Sequence, residues 1–265
     1  VRVLVTGSAG FIGKHTVKAL RARGDEVLGL DRKAGFDLRD PLVALSAVTD
    51  FAPDAIVHLA STCSTPGSVR DPLTTFNDTV LTAVNTLDAA RIGQVPIIVV
   101  SSVKARDGMT PYGAAKRMVE TWANEYADAY DLPVIIDRPG TIYGPGQEGS
   151  EDSGWIAWFC KAAKEGHRVT INGSGEQIRD LLHVSDMVRL LLFQIDHFED
   201  YTRVVWDVGG GPSNAVTVNL MAAWLRLQTE HGPSRYGDVG EYIGHNDVPG
   251  WEPHVEWRLS ETLRR

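Results

Sequence analysis

Short, almost unbroken apolar runs alternate along the first half of the chain with segments whose apolar residues recur every three or four positions. The runs fall at residues 3–5, 26–30, 55–60, 96–102 and 133–138. Runs of this kind suit parallel strands covered on both faces, since a strand with one wet face would alternate apolar with polar positions. Residues 12–23 carry Ile12, Thr16, Ala19 and Leu20 at helical spacing and stop at Gly24, which suits a left-handed helix end. Asp40-Pro41 and Asp71-Pro72 each set a capping side chain before a proline at the first helical position. The first of these helices ends before Pro53, and the second runs as one long helix to Gly93. The clearest helix is 112–130, where Ala115, Met118, Val119, Trp122, Ala123 and Tyr126 form one stripe. This alternation predicts an α/β fold, a doubly wound parallel Rossmann sheet that binds its ligands beyond the carboxyl ends of the strands.

The pattern changes at residues 144–150, a polar link of Gly, Pro, Gln, Glu and Ser. Beyond it we expect a helix through Trp155, Trp158 and Phe159, a turn at 172–175, and a helix from near Ser185. A strand at 204–208 and a helix from about Thr217 follow, and glycine and proline then break up the last thirty residues. The division expected is a dinucleotide-binding domain at 1–143 and a smaller C-terminal lobe at 144–265 for the substrate, partly interleaved with the main sheet.

Composition narrows the partners. The chain has 265 residues, with 34 acidic against 26 basic side chains and a net charge of −8. No Lys/Arg run stands out, which argues against nucleic acid or an anionic membrane surface. No apolar stretch reaches spanning length, and Val1 leads straight into a strand without room for a signal peptide, so a cytoplasmic protein is expected. Cys63 and Cys160 are far apart and form neither a metal nor a disulfide framework; they read as two buried free thiols in a reducing compartment. No metal site is expected.

The candidate chemistry begins between the first strand and the first helix. Gly7, Gly10 and Gly13 are spaced G-x-x-G-x-x-G. In such a turn the first glycine takes a backbone angle that a side chain forbids, the second lets the backbone approach a pyrophosphate, and the third lets helix pack on strand. The N–H groups and positive end of the following helix then hold the diphosphate. Asp31, at the end of the second run, is placed to accept from an adenosine ribose. It repels a 2′-phosphate, whereas Arg32 and Lys33 attract one. The carboxylate sits nearer the ribose, so NAD is the expected cofactor.

Tyr112 and Lys116 are four apart on one helix and leave it on the same face. An ammonium beside a phenol favours the phenolate and lowers its pKa toward working pH, which would make Tyr112 a base toward a hydroxyl or an acid toward a carbonyl. Ser102, at the end of the preceding strand, is the candidate second donor to the same oxygen, with Ser101 as its rival.

A series of motifs in fixed order then identifies a family. Thr6-Gly7-x-x-Gly10-Phe11-Ile12-Gly13, Asp37-Leu38, His58-Leu59-Ala60, Ser101-Ser102 and Tyr112-x-x-x-Lys116 resemble the extended short-chain dehydrogenase/reductases. So do Arg138-Pro139-x-Thr141-x-Tyr143-Gly144 and 179–186, Arg-Asp-Leu-Leu-His-Val-x-Asp. The resemblance runs essentially end to end. It implies a nucleotide-diphosphate sugar as substrate and adds Phe11, Ile12, Arg32, Asp37, Leu38, Leu59, Ala60, Ser61 and Arg138 to the cofactor site. Tyr112 and Lys116 would also touch the nicotinamide ribose side. Thr141, Trp155, Arg179 and Arg235, with Ser102, would meet the substrate, the two arginines clamping its diphosphate.

Segments 152–160, 171–180 and 208–216 look like the CDP-paratose (CDP-tyvelose) 2-epimerase branch. That branch implies oxidation of a sugar C2 hydroxyl by bound NAD, presentation of the other face, and hydride return. A 4-epimerase or a 4-ketoreductase on the same substrate class stays open, as does a dinucleotide-sensing scaffold that has lost turnover. The absence of a Thr-Asp-Glu triplet at 102–104 disfavours elimination chemistry. Only nine residues separate Ser102 from Tyr112, which shortens one wall of the site relative to the family, and Thr79 stands where the family has a helix asparagine. The stripe on helix 112–130, beside the helix ending at Gly93, suits a four-helix homodimer interface as in the family.

Overall fold

Val3, Leu4 and Val5 have no exposed surface, and the architecture is laid around them. The computed structural model describes residues 1–106, 108–244 and 246–257. The first half runs β1 (Arg2–Thr6), α1 (Phe11–Arg23), β2 (Glu26–Leu30), α2 (Pro41–Phe51) and β3 (Ala55–His58). It continues with α3 (Thr65–Arg70), α4 (Pro72–Phe76), α5 (Thr82–Gly93), β4 (Ile97–Val100), α6 (Pro111–Tyr130) and β5 (Val134–Pro139). The second half runs β6 (Thr141–Tyr143), α7 (Trp155–Glu165), β7 (Val169–Asn172), β8 (Ile178–His183) and α8 (Val184–Asp196). It ends with β9 (Val205–Val208), β10 (Ala215–Thr217), α9 (Val218–Trp224), β11 (Thr229–Gly232) and β12 (Glu241–Tyr242).

Six strands form one parallel sheet in the order β2-β1-β3-β4-β5-β9. Successive side chains on a strand point to opposite faces, which divides the apolar runs between two cores. Leu4, Ile56, Ile97, Val99 and Ile136 pack with Val48 of α2, Leu87 of α5 and Val119 and Ala123 of α6. Val3, Val5, Val57, Ile98, Val100 and Ile135 pack with Leu20 of α1 and Met187, Leu190 and Leu191 of α8. Each fully buried Leu, Ile or Met contributes on the order of 2 kcal/mol, so both faces must be covered for the runs to be stable. A third core, including Ile156, Phe159, Ile171, Leu181 and Met221, holds the lobe.

Two features of the path position the site. From β1 the sheet grows to β2 on one side and β3 on the other, so a crevice opens at the carboxyl ends of β1 and β3. The chain leaves the sheet after β5, pairs β6 with β8 in the lobe, and returns as β9 beside β5. The helix expected from Pro72 to Gly93 is interrupted by a π-turn at Asn77–Leu81, a local widening that no apolar period reveals. Among the described residues no helix is long and apolar enough to cross a membrane.

Candidate active site

Gly7 has φ +65°, and a Cβ there would lie 2.8 Å from the Ala60 amide nitrogen and 2.9 Å from the Leu59 carbonyl carbon. A Cβ at Gly13 would lie 2.1 Å from the Gly7 carbonyl oxygen. The turn therefore exists only with glycine at both ends. Helices α2, α3, α4 and α6 begin with Asp40, Ser64, Asp71 and Thr110 accepting from a first-turn N–H. Helix α1 begins at Gly10 with no side-chain cap. Its first-turn amides, Phe11, Ile12 and Gly13, are thus without a capping acceptor at the positive end of the helix, the arrangement that takes a diphosphate.

Thr6 links this turn to β3. Its Oγ1 accepts from the Leu59 and Ala60 amides at 3.1 and 3.2 Å and lies 3.0 Å from His58 Nδ1. Burial, and then the charge of Lys116, drive the His58 pKa down to about 3, so the imidazole is neutral. With both amides donating to Thr6, its own proton goes to Nδ1, which places the histidine proton on Nε2. Asp31 binds across the turn: Oδ2 accepts from Ala9 N at 3.0 Å and Oδ1 from Lys33 N at 2.9 Å.

A cavity of about 260 Å³ lies over these groups, its wall including Gly7, Gly10, Asp31, Leu38, Leu59 and Ala60. Ser61, Asp37 and Arg32 also line it. Arg39 holds the Asp37 carboxyl down at about 2 through a side-chain hydrogen bond. Arg32 donates to both oxygens of Asp78 at 3.0 and 2.9 Å, so its charge is matched within the protein rather than held for a 2′-phosphate. Phe11 packs edge-on to His15, 5.6 Å between ring centroids, and Ile12 packs against the core under α1; neither lines this cavity.

A second cavity, of about 430 Å³, opens between the strand ends and the lobe. Ser102, Thr141, Trp155, Arg179 and Arg235 all lie on its wall, as does Cys63. Leu59–Thr62 line the first cavity and Cys63 the second, so the segment after β3 runs from one to the other. Arg179 is buried; its Nη2 meets Asp238 Oδ1 at 2.5 Å, and its guanidinium lies 4.8 Å from the Tyr242 ring centre. Arg235 donates to the Glu151 carbonyl at 2.9 Å. Trp155 stands edge-on to Phe159 at 5.3 Å.

Of the candidate catalytic groups, Ser102 lies on the wall of the second cavity, and Tyr112 and Lys116 line neither cavity. Ser101 is buried and its hydroxyl donates to Glu120 Oε1 at 2.5 Å, whereas Ser102 faces the second cavity. Of the rival donors, only Ser102 is available to a ligand. Tyr112 and Lys116 are both buried on α6. Lys116 Nζ donates to the Val100 carbonyl at 2.8 Å, and burial pushes its pKa down to about 8, opposed by Cys63 and Glu120. The expectation of a lowered phenol pKa is not met. Burial pushes the Tyr112 phenol above its ordinary value, Cys63 adds to this, and only a hydrogen bond with Ser102 pulls the other way.

Two further expectations are corrected. Arg138 reaches neither cavity wall: it binds Glu120 through Nε at 3.0 Å and Nη2 at 2.6 Å and Asp207 through Nη1 at 3.5 Å. It lies within the buried β5 strand, whose pleat turns it toward α6 and β9. Cys63 is exposed, not buried, because the loop after β3 leaves the sheet at the cavity mouth; Cys160 is partly covered. Thr79, inside the π-turn, lies 3.2 Å from both Ser61 Oγ and Thr62 Oγ1 and so holds the segment that joins the cavities. Glu120 lies outside the quoted motifs, and Thr6 is within one that gives no sign of its bonds to Leu59, Ala60 and His58. Glu120 carries one legible signal, its place four residues after Lys116 on the same helix face. Among the described residues no cluster of His, Cys, Asp or Glu could hold a metal.

Residues 3–209 match the family described as NAD dependent epimerase/dehydratase family. The chain is 28% identical over 305 aligned residues to a UDP-glucose 4-epimerase of Mycolicibacterium smegmatis, covering 96% of this chain and 94% of that protein. It is 23% identical over 275 residues to CDP-paratose 2-epimerase of Salmonella typhi, covering 82% and 81%. The structure of MoeE5 in complex with UDP-glucose and NAD superposes with a TM-score of 0.87 at 30% identity, over 99% of this chain and 96% of that one.

Proposed function

Because the chain belongs to the NAD dependent epimerase/dehydratase family, we propose that it is a nucleotide-sugar epimerase that oxidises one sugar hydroxyl to a ketone and returns the hydride to the opposite face. One observation carries this reading. Ser102, on the wall of the second cavity, stands at the end of the strand whose Val100 carbonyl holds Lys116, and that cavity also presents two arginines. NAD is the family's cofactor, and the first cavity fits its adenosine half: the uncapped start of α1 suits the diphosphate, and the anchored Asp31 suits the ribose and repels a 2′-phosphate. When bound, NAD supplies reversible hydride acceptance.

The chain's own residues supply the rest. Ser102 donates to the reacting sugar oxygen, and Tyr112 takes its proton on oxidation and gives it back on reduction. The buried phenol resists ionisation, so the adjoining Lys116 must be charged for the transfer, and its pKa near 8 leaves it protonated at neutral pH. Arg179 and Arg235 hold the substrate diphosphate while the sugar turns.

The sequence alone favours C2 as the reacting carbon. The more similar of the two curated relatives is a 4-epimerase, which puts C4 first and keeps C2 as the second reading. A ketoreductase would consume reduced cofactor, whereas either epimerase is cofactor-neutral. The test begins with denaturing the purified protein and weighing any dinucleotide released. UDP-glucose and UDP-galactose, then CDP-sugars, are offered next. Tyr112→Phe should lose turnover by about 10²-fold or more while keeping its NAD. Unchanged turnover in that variant overturns the enzyme reading.

The assembly we favour is a homodimer. Leu73, Phe76, Ile92, Met118, Trp122 and Tyr130 are all exposed on the adjoining helices α4, α5 and α6. Apolar side chains gathered on neighbouring helices suit a second copy of the same face. Light scattering at micromolar concentration should give twice the chain mass; a monomer refutes it.

A further inference from the structure

Beneath the Tyr112–Lys116 helix face lies a buried polar cluster that belongs to neither cavity. Glu120, one helical turn beyond Lys116, is buried on α6. Its Oε1 accepts from Ser101 Oγ at 2.5 Å and Arg138 Nε at 3.0 Å, and its Oε2 from Arg138 Nη2 at 2.6 Å. Arg138 also reaches Asp207 of β9, which Arg106 pairs from the segment leading into α6. Three consecutive residues at the end of β4 are thereby used in three ways. The Val100 carbonyl holds Lys116, the Ser101 hydroxyl is tied to Glu120, and Ser102 faces the substrate cavity.

We propose that Glu120 is a positioning residue for the reaction: through Ser101 it sets where Ser102 stands relative to Tyr112, and its carboxylate keeps the neighbouring Lys116 charged. A carboxylate this deep needs its bonds satisfied, and the bidentate arginine with one hydroxyl does that without neutralising it. The groups that act on Lys116 are Cys63 from the segment after β3 and Glu120 from its own helix, while His58 of β3 feels its charge. His58 is neutral; Cys63, and after it Glu120, offset the burial of the ammonium, and Glu120 is the carboxylate of the two. Burial alone would drive the lysine toward the neutral amine, which cannot stabilise a phenolate.

The inference rests on Tyr112 and Lys116 acting as the catalytic pair, and its test reads a titration that needs no turnover. The chain contains seven lysines, so protein labelled with ¹³C at lysine Cε gives few signals, and Lys116→Arg assigns the one of interest. In the cofactor-free protein, Glu120→Gln should move the Lys116 titration down by about one pH unit. The alkaline limb of kcat should move with it, and the KM for nucleotide sugar should hold. Ser101→Ala leaves the ion pair in place and should lower kcat about tenfold without moving the titration. A folded Glu120→Gln protein with an unmoved Lys116 titration overturns the electrostatic role. Wild-type kcat in Ser101→Ala overturns the positioning role even if Glu120→Gln does not fold. Failure of the catalytic reading itself appears elsewhere, as full activity in Tyr112→Phe.

Discussion

Asp31 Oδ2 accepts a hydrogen bond from the Ala9 amide at 3.0 Å, so the acid at the end of β2 braces the glycine turn as well as facing the cavity. Its second oxygen, bound to the Lys33 amide at 2.9 Å, fixes the carboxylate plane. Asp31→Asn keeps an acceptor and removes the charge. We expect NAD binding to weaken about tenfold and the disadvantage of NADP to shrink. Fluorescence titration with both dinucleotides measures the two affinities, and an unchanged ratio between them would remove Asp31 from cofactor selection.

Arg179 lines the second cavity and not the first, which separates its effect from that of the glycine turn. Arg179→Gln should raise the KM for the nucleotide sugar about tenfold or more and leave NAD affinity unaltered. Steady-state kinetics beside a cofactor titration distinguishes the two, and loss of both together would assign the arginine to folding of the lobe.

His58 gives the protein an acid-sensitive point. Its folded-state pKa of about 3 lies below the ordinary 6.5, so between those values the unfolded chain binds a proton that the folded protein refuses. Stability is therefore lost as pH falls through that window. The loss from this group is about 3 kcal/mol between pH 7 and pH 4. Urea unfolding at the two pH values should show a smaller difference in His58→Gln than in the parent; equal differences would contradict the neutral, buried imidazole.

Asp137 works in the opposite sense. Burial pushes its carboxyl up to about 7, Gln194 donates to Oδ1 at 2.8 Å, and Oδ2 is buried without a partner. The folded protein keeps a proton that the unfolded chain gives up above about 3.8, so this group costs stability as pH rises from there to 7. Asp137→Asn should stabilise the protein at pH 8 by on the order of 2 kcal/mol and much less at pH 5. Denaturant midpoints at the two pH values are the check, and an equal gain at both would show that the carboxyl does not titrate.

The parallel sheet, its helices and the glycine turn were legible in the chain because each is dictated locally. A run such as residues 3–5 has no polar position to expose, Asp71 before Pro72 suits the capped start of a helix, and Gly7 and Gly13 occupy places where a Cβ collides with backbone. The placing of Tyr112 and Lys116 on one helix, after the strand end that carries Ser102, was legible for a similar reason, a fixed helical spacing.

What escaped was decided by neighbours distant in sequence. Arg138 belongs to a motif, yet its partners lie 18 and 69 residues away on α6 and β9, and only their packing turns it from the cofactor toward Glu120. Whether Cys63 is buried depends on where the loop after β3 leaves the sheet. The Tyr112 phenol was expected to be acidified by Lys116; the fold buries both, and desolvation, which no spacing encodes, raises the phenol instead. The sequence by itself determined the strands of the main sheet, the order of most of the helices between them and the glycine turn, because backbone sterics and apolar period act over a few residues. The tertiary structure alone decided which charges meet and which are stripped of water, because both depend on what the rest of the chain brings alongside.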